Sequence, residues 1–267
     1  MPPSWQPDWQ ALMAQAPELA LGSEGGFVYL VADSHLGDVR APVEGFLRML
    51  AGLEQPRAVV FLGDLFRVWL TLPQFQDDAV RAVLAGFQAL RARGARVVFV
   101  VGNREFFLPR TAADEHRRAL PFDLIVPNAC VIVWHGRRYG LSHGDLVNRA
   151  DSQYLKWRRV ARGRGLEAVF RAIPGPLARR LAQRLERSFA HTNQDIKIQY
   201  PRGELEAFAQ AVLPGLDGFF IGHFHRDETI ALPGRAEHLR IVPDWHARKA
   251  IVRLEAQGRE ETLRPEG

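Results

Sequence analysis

Apolar residues recur along this chain in two alternating patterns. Short continuous apolar runs have the length of buried strands, and longer stretches carry apolar residues three or four positions apart, the spacing of one helix face. Helices are predicted near residues 5–13, 43–53 and 80–90. The runs predict strands at residues 27–32, 58–62, 96–101, 131–134, 138–141, 219–221, 239–242 and 250–254. Strands that alternate with helices favour parallel βαβ units, and therefore an α/β fold.

Polar residues with metal-binding groups follow five of these predicted strands. In open α/β sheets, ligands bind beyond the carboxyl ends of the strands. Each stretch alone could be an ordinary turn or a helix cap, but five that all follow apolar strands indicate one shared site. The stretches are Asp33-x-His35, Gly63-Asp64, Gly102-Asn103, His143-Gly144-Asp145 and Gly222-His223-x-His225.

The last stretch places two histidines one residue apart. In an extended segment, side chains at positions i and i+2 point the same way, so we expect both imidazoles to reach one point. Gly222 would let the backbone approach a bound ion closely. Taken alone, this pair could equally be surface polarity.

The donor set has two carboxylates, one amide oxygen and four imidazoles, with no thiolate. Such nitrogen and oxygen ligands suit Mn²⁺, Fe²⁺ or Zn²⁺. Seven ligands are too many for one ion and suit two ions with open positions. Two ions roughly 3.5–4 Å apart can share a hydroxide and clamp the oxygens of an in-line displacement at phosphorus.

Composition is that of an ordinary soluble protein. The 267 residues suit a single α/β domain with an insertion. Residues 1–26 are predicted to be an N-terminal extension, and they lack the pattern of a secretory signal. No apolar run approaches the roughly 20 residues needed to span a bilayer. Cys130 is the only cysteine, which fits a reducing compartment.

Positive charge is concentrated in residues 155–190, which hold ten basic residues against two acidic ones. This field predicts an anionic partner. Apolar residues at helical spacing, broken at Pro174, predict a basic helical hairpin at about 150–200 that rests on the site as a cap. A solvated hairpin with no ligand role stays open as the alternative. Its aromatic residues are too sparse for a base-stacking platform, so we expect no nucleic acid.

Together, the five stretches resemble those of the calcineurin-like metallophosphoesterases, from about residue 27 to residue 254. The resemblance implies a four-layer αββα sandwich that holds two metal ions, with Mn²⁺ expected first and Fe²⁺ or Zn²⁺ as alternatives. It implies a bridging role for Asp64. It assigns Asp33, His35 and His225 to the first ion, and Asn103, His143 and His223 to the second.

Arg104 departs from the pattern of many family members, which have histidine after the Gly-Asn pair. An arginine does not donate a proton usefully, but it can hold a phosphate bidentately. The site should therefore favour a leaving group that needs no acid, such as a phosphate leaving from a pyrophosphate. The expected catalytic residues are Asp64, Asn103, Arg104 and His143.

Within the family, the chain is similar to the group that hydrolyses UDP-2,3-diacylglucosamine. This similarity implies an acylated UDP-sugar substrate attacked at its α-phosphorus, and a cytoplasmic enzyme bound to the acidic inner-membrane surface through the basic cap. The alternatives are another phosphoanhydride or phosphodiester hydrolase, or a catalytically silent binding module. The implied substrate-binding residues are Asn103, Arg104, Asp151, Tyr154, Ser188, Asn193, Lys197 and His223.

Overall fold

Two six-stranded β-sheets pack face to face at the centre of the fold in a computed structural model. The structure describes residues 6–37, 43–108, 120–175, 177–178, 180–181, 184 and 200–265. The strands are β1 Glu18–Gly22, β2 Phe27–Val31, β3 Pro56–Phe61, β4 Trp69–Leu70, β5 Arg96–Val100, β6 Glu105–Phe106, β7 Leu124–Val126, β8 Ala129–Trp134, β9 Arg137–Ser142, β10 Gly218–Ile221, β11 Glu228–Ala231, β12 His238–Ile241, β13 Ile251–Leu254 and β14 Glu260–Leu263. The α-helices are α1 Trp9–Ala14, α2 Val43–Gly52, α3 Asp78–Ala92, α4 Ser152–Ala161, α5 Arg164–Arg171, α6 Arg202–Val212 and α7 Trp245–Arg248.

Parallel pairing brings the carboxyl ends of neighbouring strands to one edge of each sheet. The first sheet has the order β14-β13-β2-β3-β5-β7, and its strands β2, β3, β5 and β7 are parallel. The second sheet has the order β1-β8-β9-β10-β12-β11, and its strands β9, β10 and β12 are parallel. Strands β4 and β6 form a separate two-stranded ladder beside the first sheet's loops.

Alternation along the strands builds the core between the sheets. Val28 and Leu30 of β2 point into this core, where they meet Ile132 of β8 and Phe220 of β10. These side chains are 0% exposed. Burying one such aliphatic side chain contributes about 1.5–3 kcal/mol to stability.

The other face of each sheet carries helices. Tyr29 and Val59 of the first sheet pack in one cluster with Phe46 of α2 and Phe87 of α3. On the second sheet, a separate cluster joins Phe219 to residues of α1 and α6. The layer order is therefore helix, sheet, sheet, helix, and the predicted αββα fold class is confirmed.

The eight predicted strands are present, with ends that differ by one or two residues. Sequence analysis did not predict β1, which lies before the expected boundary at residue 26 and pairs with β8 in parallel. The division into an extension and a main domain stays a prediction. Of the described helices, none is long and apolar enough to cross a bilayer.

Candidate metal centre

The five predicted strand-end stretches meet where loops of the two sheets face each other. In the first sheet, the backbone N–H of Asp33 donates to Gly63 O at 3.3 Å, which joins the loop after β2 to the loop after β3. In the second sheet, the N–H of Gly222 donates to His143 O at 2.9 Å. The two sheets are linked by the N–H of His223, which donates to Asp33 Oδ2 at 2.7 Å.

One group of side chains consists of Asp33, His35 and His225, whose potential ligand atoms all lie within 4.8 Å of one another. His225 Nε2 is 3.4 Å from Asp33 Oδ1 and 3.3 Å from His35 Nε2. Asp33 and His35 are buried, whereas His225 is partly exposed. These are the three residues predicted for the first ion.

The second group converges on His143, which is 0% exposed. His143 Nε2 lies 2.9 Å from Asn103 Oδ1, 3.2 Å from His223 Nδ1 and 3.5 Å from Asp64 Oδ1. Its other ring nitrogen, Nδ1, is 2.6 Å from the carbonyl of Leu62, which orients the ring. The residues predicted for the second ion are therefore also neighbours.

Asp64 lies between the two groups. Its Oδ1 faces His143 Nε2 at 3.5 Å, and its Oδ2 lies 3.9 Å from His35 Nε2. This placement matches the arrangement expected of a bridging carboxylate. The bridging role itself stays a prediction.

The hydrogen-bonding state of the buried ligand atoms indicates, independently of any resemblance, that the site is built for a cation. Within the described part of the chain, His35 Nδ1 is buried without a hydrogen-bond partner, and Asp33 Oδ1 makes no hydrogen bond and has His225 Nε2 3.4 Å away. A buried carboxylate oxygen needs positive charge close to it, and a metal ion bound between these atoms would supply it. Imidazole nitrogens also face each other at 3.2–3.3 Å in two pairs, where at most one nitrogen of each pair can donate.

Electrostatics make one member of each imidazole pair easier to protonate than the other. Burial would lower the pKa of His225, but the adjacent Asp33 carboxylate raises it to about 9. Burial lowers the pKa of His35 well below its usual value. Burial and the nearby His143 lower the pKa of His223 to about 3. Neutral imidazole is the metal-binding form, so each pair holds at least one ready nitrogen donor.

The prediction for the His-x-His stretch is wrong in its geometry. His223 and His225 have φ values of 69° and 50°, so the segment is left-handed at both positions and not extended. The two imidazoles consequently separate: one faces His143 and the other faces Asp33. They belong to different groups, as the family resemblance implied.

Left-handed backbone is a general property of this site. Five of the seven predicted ligands have positive φ: Asp33, His35, Asp64, His223 and His225. Each such non-glycine residue costs roughly 1–2 kcal/mol. Strain of this kind persists where surrounding contacts fix the backbone, and it is concentrated at functional sites.

Arg104 and Glu105 follow Asn103 and are both buried, at 8% and 2% exposure. Arg104 Nε lies 3.8 Å from Asp64 Oδ2, so its guanidinium is at the site as predicted. The Glu105 carboxylate accepts hydrogen bonds from the N–H groups of Gly102, Asp64 and Leu65. Burial and the Asp64 charge raise the pKa of Glu105 to about 8, whereas these three donors favour its ionised form.

Helix α4 is joined to the site through Asp145, two residues after His143. The Tyr154 hydroxyl donates to Asp145 Oδ2, and Arg158 Nε donates to the same oxygen at 2.7 Å. Burial would raise the pKa of Asp145, but Arg158 holds it below its usual value. Asp151 caps the helix by accepting from Tyr154 N at 2.9 Å.

A second contact from the end of α4 reaches the loop that carries Asn103. Arg162 donates to the carbonyl of Gly102 at 2.7 Å and to that of Pro127 at 2.9 Å. Burial and the neighbouring Arg158 charge lower the pKa of Arg162 to about 10, which leaves it charged at neutral pH. Arg158 is therefore paired with a carboxylate and Arg162 with backbone carbonyls, so both arginines hold α4 against the body of the protein.

Some apolar side chains of the segment 157–177 pack against the body of the protein, and others are exposed to solvent. Phe170 stacks near Phe107 and Phe75, with ring centroids 5.0 Å and 5.9 Å apart, and Ile173 packs in the same cluster. The exposed apolar surface comprises Trp157, Val160, Leu166, Val169 and Leu177, at 37–68% exposure. The predicted residues Ser188, Asn193 and Lys197 lie outside the described residues.

Three functional candidates were missed from the sequence: Glu105, Arg158 and Arg162. Glu105 directly follows the Asn-Arg pair, and its place after the ligand stretch was the available signal. The two arginines were counted only as part of the basic segment. Charge density does not reveal which guanidinium groups turn inward to carbonyls.

Comparisons with known proteins agree with this geometry. No protein-family model matches the chain. A UDP-2,3-diacylglucosamine hydrolase from Stenotrophomonas maltophilia is 31% identical over 245 residues, covering 85% of this chain and 94% of that protein. One of the same name from Escherichia coli is 29% identical over 235 residues, with the same coverage of both chains. A solved archaeal phosphodiesterase is 11% identical over 89% of this chain and 98% of that one, with a TM-score of 0.44, which is too low to support an argument.

The facing sheets and the five strand-end stretches define a calcineurin-like metallophosphoesterase. Within that class, the similarity to the Stenotrophomonas protein over nearly its whole length is decisive. The chain belongs to the family of UDP-2,3-diacylglucosamine hydrolases.

Proposed function

We propose that this chain hydrolyses the pyrophosphate of UDP-2,3-diacylglucosamine, giving UMP and 2,3-diacylglucosamine 1-phosphate. The observation that carries the proposal is the 31% identity to the Stenotrophomonas protein, whose name states that substrate. The convergence of carboxylates and imidazoles at the facing loops supports a hydrolytic site.

Two divalent ions, with Mn²⁺ as the first candidate, would be held at this site. Asp33, His35 and His225 would bind one ion. Asn103, His143 and His223 would bind the other, with Asp64 shared between them. When bound, the ions would supply Lewis acidity toward a phosphoryl oxygen and lower the pKa of a water molecule.

The chain's own residues would position the pyrophosphate and balance its charge. Arg104 lies beside Asp64 with its guanidinium mostly buried, where it can offer two parallel N–H donors to phosphate oxygens. Asn103 and His143 would share this side of the substrate. Water attack at the α-phosphorus would form UMP and break the bond to the bridging oxygen of the anhydride. The leaving group would be 2,3-diacylglucosamine 1-phosphate, which departs as a phosphate and needs no proton from a general acid.

The described helices α4 and α5 would contact the lipid part of the substrate. Trp157 and Val160 lie three residues apart on α4, and Leu166 and Val169 repeat this spacing on α5. All four side chains are substantially exposed. Exposed apolar side chains grouped on two consecutive helices are a candidate contact for an apolar ligand or a membrane.

We further propose that the protein is cytoplasmic and binds the surface of the inner membrane. Lys156, Arg159, Arg180 and Arg184 are exposed on the same segment as the apolar surface. Basic residues near an anionic bilayer contribute about 1 kcal/mol each to binding. Asp151 and Tyr154, together with Ser188, Asn193 and Lys197, stay predictions as substrate contacts.

A substrate panel tests the proposed function. The purified chain would be stripped of metal and restored with Mn²⁺, then given UDP-2,3-diacylglucosamine, unacylated UDP-glucosamine, a dinucleoside polyphosphate and an alkyl phosphate. We expect metal-dependent release of UMP that is fastest from the diacylated substrate. Equal rates on the first three substrates would favour a general phosphoanhydride hydrolase, and no turnover of any would favour a binding module.

A further inference from the structure

Glu105 lies between the two loops that carry Asp64 and Asn103. We propose that Glu105 is a positioning residue, whose carboxylate holds these loops in the geometry needed to bind two metal ions. Its hydrogen bonds go to backbone N–H groups, so it would act through the loops that carry the ligands. The inference rests on the proposed function, because it assigns Asp64 and Asn103 as metal ligands.

The hydrogen bonds of the carboxylate go to both loops at once. Glu105 Oε2 accepts from Gly102 N at 2.7 Å and from Asp64 N at 3.1 Å, while Oε1 accepts from Leu65 N at 2.9 Å. Asp64 is a proposed ligand, and Gly102 directly precedes another. A single side chain thus ties together the backbone on either side of the site.

A reciprocal hydrogen bond completes the link. The N–H of Arg104 donates to Asp64 Oδ1 at 3.0 Å. The hydrogen bonds therefore run in both directions. The Glu105 carboxylate accepts from the backbone of the Asp64 loop, and the Asp64 carboxylate accepts from the backbone N–H of Arg104. This exchange sets the direction of the Asp64 carboxylate as well as the position of its backbone.

The loops of Asp64 and Asn103 are packed so closely that a small shift of either one toward the other would cause a steric clash. A Cβ added to Gly102 would lie 2.4 Å from Asp64 Oδ1 and 2.6 Å from Asp64 N. Asp64 itself has a φ of 51°, a conformation that must be held by its surroundings. The Glu105 hydrogen bonds to Asp64 and Leu65 hold this strained residue on both sides.

The three hydrogen bonds require acceptor oxygens at this position. All three partners are backbone N–H donors, and the two oxygens of Glu105 accept from them. Glutamine has the same shape but must turn its amide N–H₂ toward at least one of these donors. Aspartate is one methylene shorter, so its carboxylate should lie farther from the N–H groups of Asp64 and Leu65.

Thr71 supplies a matched control in the same region. Its buried hydroxyl donates to Phe107 O at 2.7 Å and lies 3.2 Å from Phe106 O, next to the ladder of β4 and β6. Thr71→Val removes a buried hydrogen bond to the residues just after Glu105, while the Glu105 hydrogen bonds to Gly102, Asp64 and Leu65 stay in place. A purely structural effect should therefore be similar in Thr71→Val and Glu105→Gln.

The experiment measures Mn²⁺ affinity by competition with a fluorescent chelator, together with the thermal midpoint of the metal-free protein. We expect Glu105→Gln to weaken Mn²⁺ binding by about 10–100-fold, the usual effect of losing a group that orients metal ligands. Thr71→Val should lower the thermal midpoint and leave Mn²⁺ affinity unchanged. Should Glu105→Gln fail to fold, Glu105→Asp is the deciding variant, with the same loss expected.

The outcomes separate this inference from the function on which it rests. Wild-type Mn²⁺ affinity in a folded Glu105 variant would overturn the positioning role while leaving the metal centre in place. Equal losses of affinity in Thr71→Val and Glu105→Gln would also overturn it, since the effect would then be one of general stability. A wild-type protein that binds no Mn²⁺ would overturn both proposals.

Discussion

The backbone N–H of His223 donates to Asp33 Oδ2 at 2.7 Å, across 190 residues of sequence. Asp33 follows a strand of the first sheet and His223 follows a strand of the second, so this hydrogen bond joins the sheets at the site. The other carboxylate oxygen of Asp33, Oδ1, is buried, makes no hydrogen bond and has His225 Nε2 3.4 Å away. One oxygen of Asp33 therefore has a structural hydrogen bond, and the other faces a second predicted ligand of the same ion.

Because the two oxygens of Asp33 have different roles, we expect Asp33→Asn to fold normally but to bind metal poorly. The amide oxygen can still accept from His223, so the thermal midpoint should change by only a few degrees. Loss of the anionic oxygen should weaken Mn²⁺ binding and lower turnover by at least ~100-fold. Calorimetric Mn²⁺ titration and steady-state kinetics provide the measurement.

Asp123→Asn is the control for this substitution. Asp123 accepts from Val97 N at 2.8 Å and pairs with Arg91, at the opposite end of strand β5 from the site. Its substitution should lower stability and leave Mn²⁺ binding intact. Tight Mn²⁺ binding by Asp33→Asn would contradict the assignment of Asp33 as a ligand.

Arg104 leads to a prediction about the leaving group. With arginine where many family members have histidine, the protein should cleave a pyrophosphate far faster than an alkyl phosphomonoester. Arg104→Lys keeps the charge but loses the planar pair of donors, so KM for the UDP-sugar should rise by about 10-fold or more. If the wild-type protein cleaved pyrophosphates and alkyl phosphomonoesters at comparable rates, Arg104 would not determine the choice of leaving group.

The exposed apolar surface leads to a prediction about acyl chains. Leu177 is 56% exposed, whereas Phe170 packs against Phe75 and Phe107. Leu177→Ala should lower kcat/KM for long-chain substrates while leaving the unacylated sugar unaffected. The loss should grow with chain length, up to about 0.8 kcal/mol per methylene that is no longer buried.

Phe170→Ala provides the contrast. Because its ring joins the segment to the body of the protein, its removal should lower stability by roughly 2–4 kcal/mol and reduce activity on all substrates in parallel. Parallel losses in Leu177→Ala as well would show that this surface is structural. Ile173 packs in the same cluster as Phe170, so it is expected to behave like Phe170 rather than like Leu177.

Much of this site was readable from the sequence because its ligands follow apolar strands. Parallel pairing then brings strand ends together, whichever loops intervene. The backbone conformation of His223 and His225 was not readable, since positive φ at histidine depends on contacts from Asp33 and His143 that are distant in sequence. Strand β1 was missed because its residues 18–22 form a strand only by pairing with β8.

The inward arginines illustrate a second limit. Arg158 and Arg162 belong to a strongly basic segment, and nothing in their spacing separates them from the exposed Arg159. Only the fold brings Asp145 and the Gly102 carbonyl within reach of their guanidinium groups. Hydrogen bonding of this kind depends on three-dimensional placement, which residue periodicity does not encode.

Cys130 provides a prediction about pH. It is 0% exposed in the core between the sheets, and burial raises its pKa to about 12. Because the thiolate is the reactive form, the native protein should react very slowly with iodoacetamide between pH 7 and pH 9. Labelling in increasing urea should rise together with loss of the fold, measured by circular dichroism. Rapid labelling of the native protein would contradict this burial.

The most direct test of the account is hydrolysis of UDP-2,3-diacylglucosamine in ¹⁸O-labelled water, with the products resolved by mass spectrometry. The Mn²⁺-restored protein should release UMP carrying one ¹⁸O atom and unlabelled diacylglucosamine 1-phosphate, and Asp64→Ala should release neither. Label in the sugar phosphate would contradict attack at the α-phosphorus. Undiminished turnover by Asp64→Ala or by the metal-stripped protein would contradict the two-metal site itself.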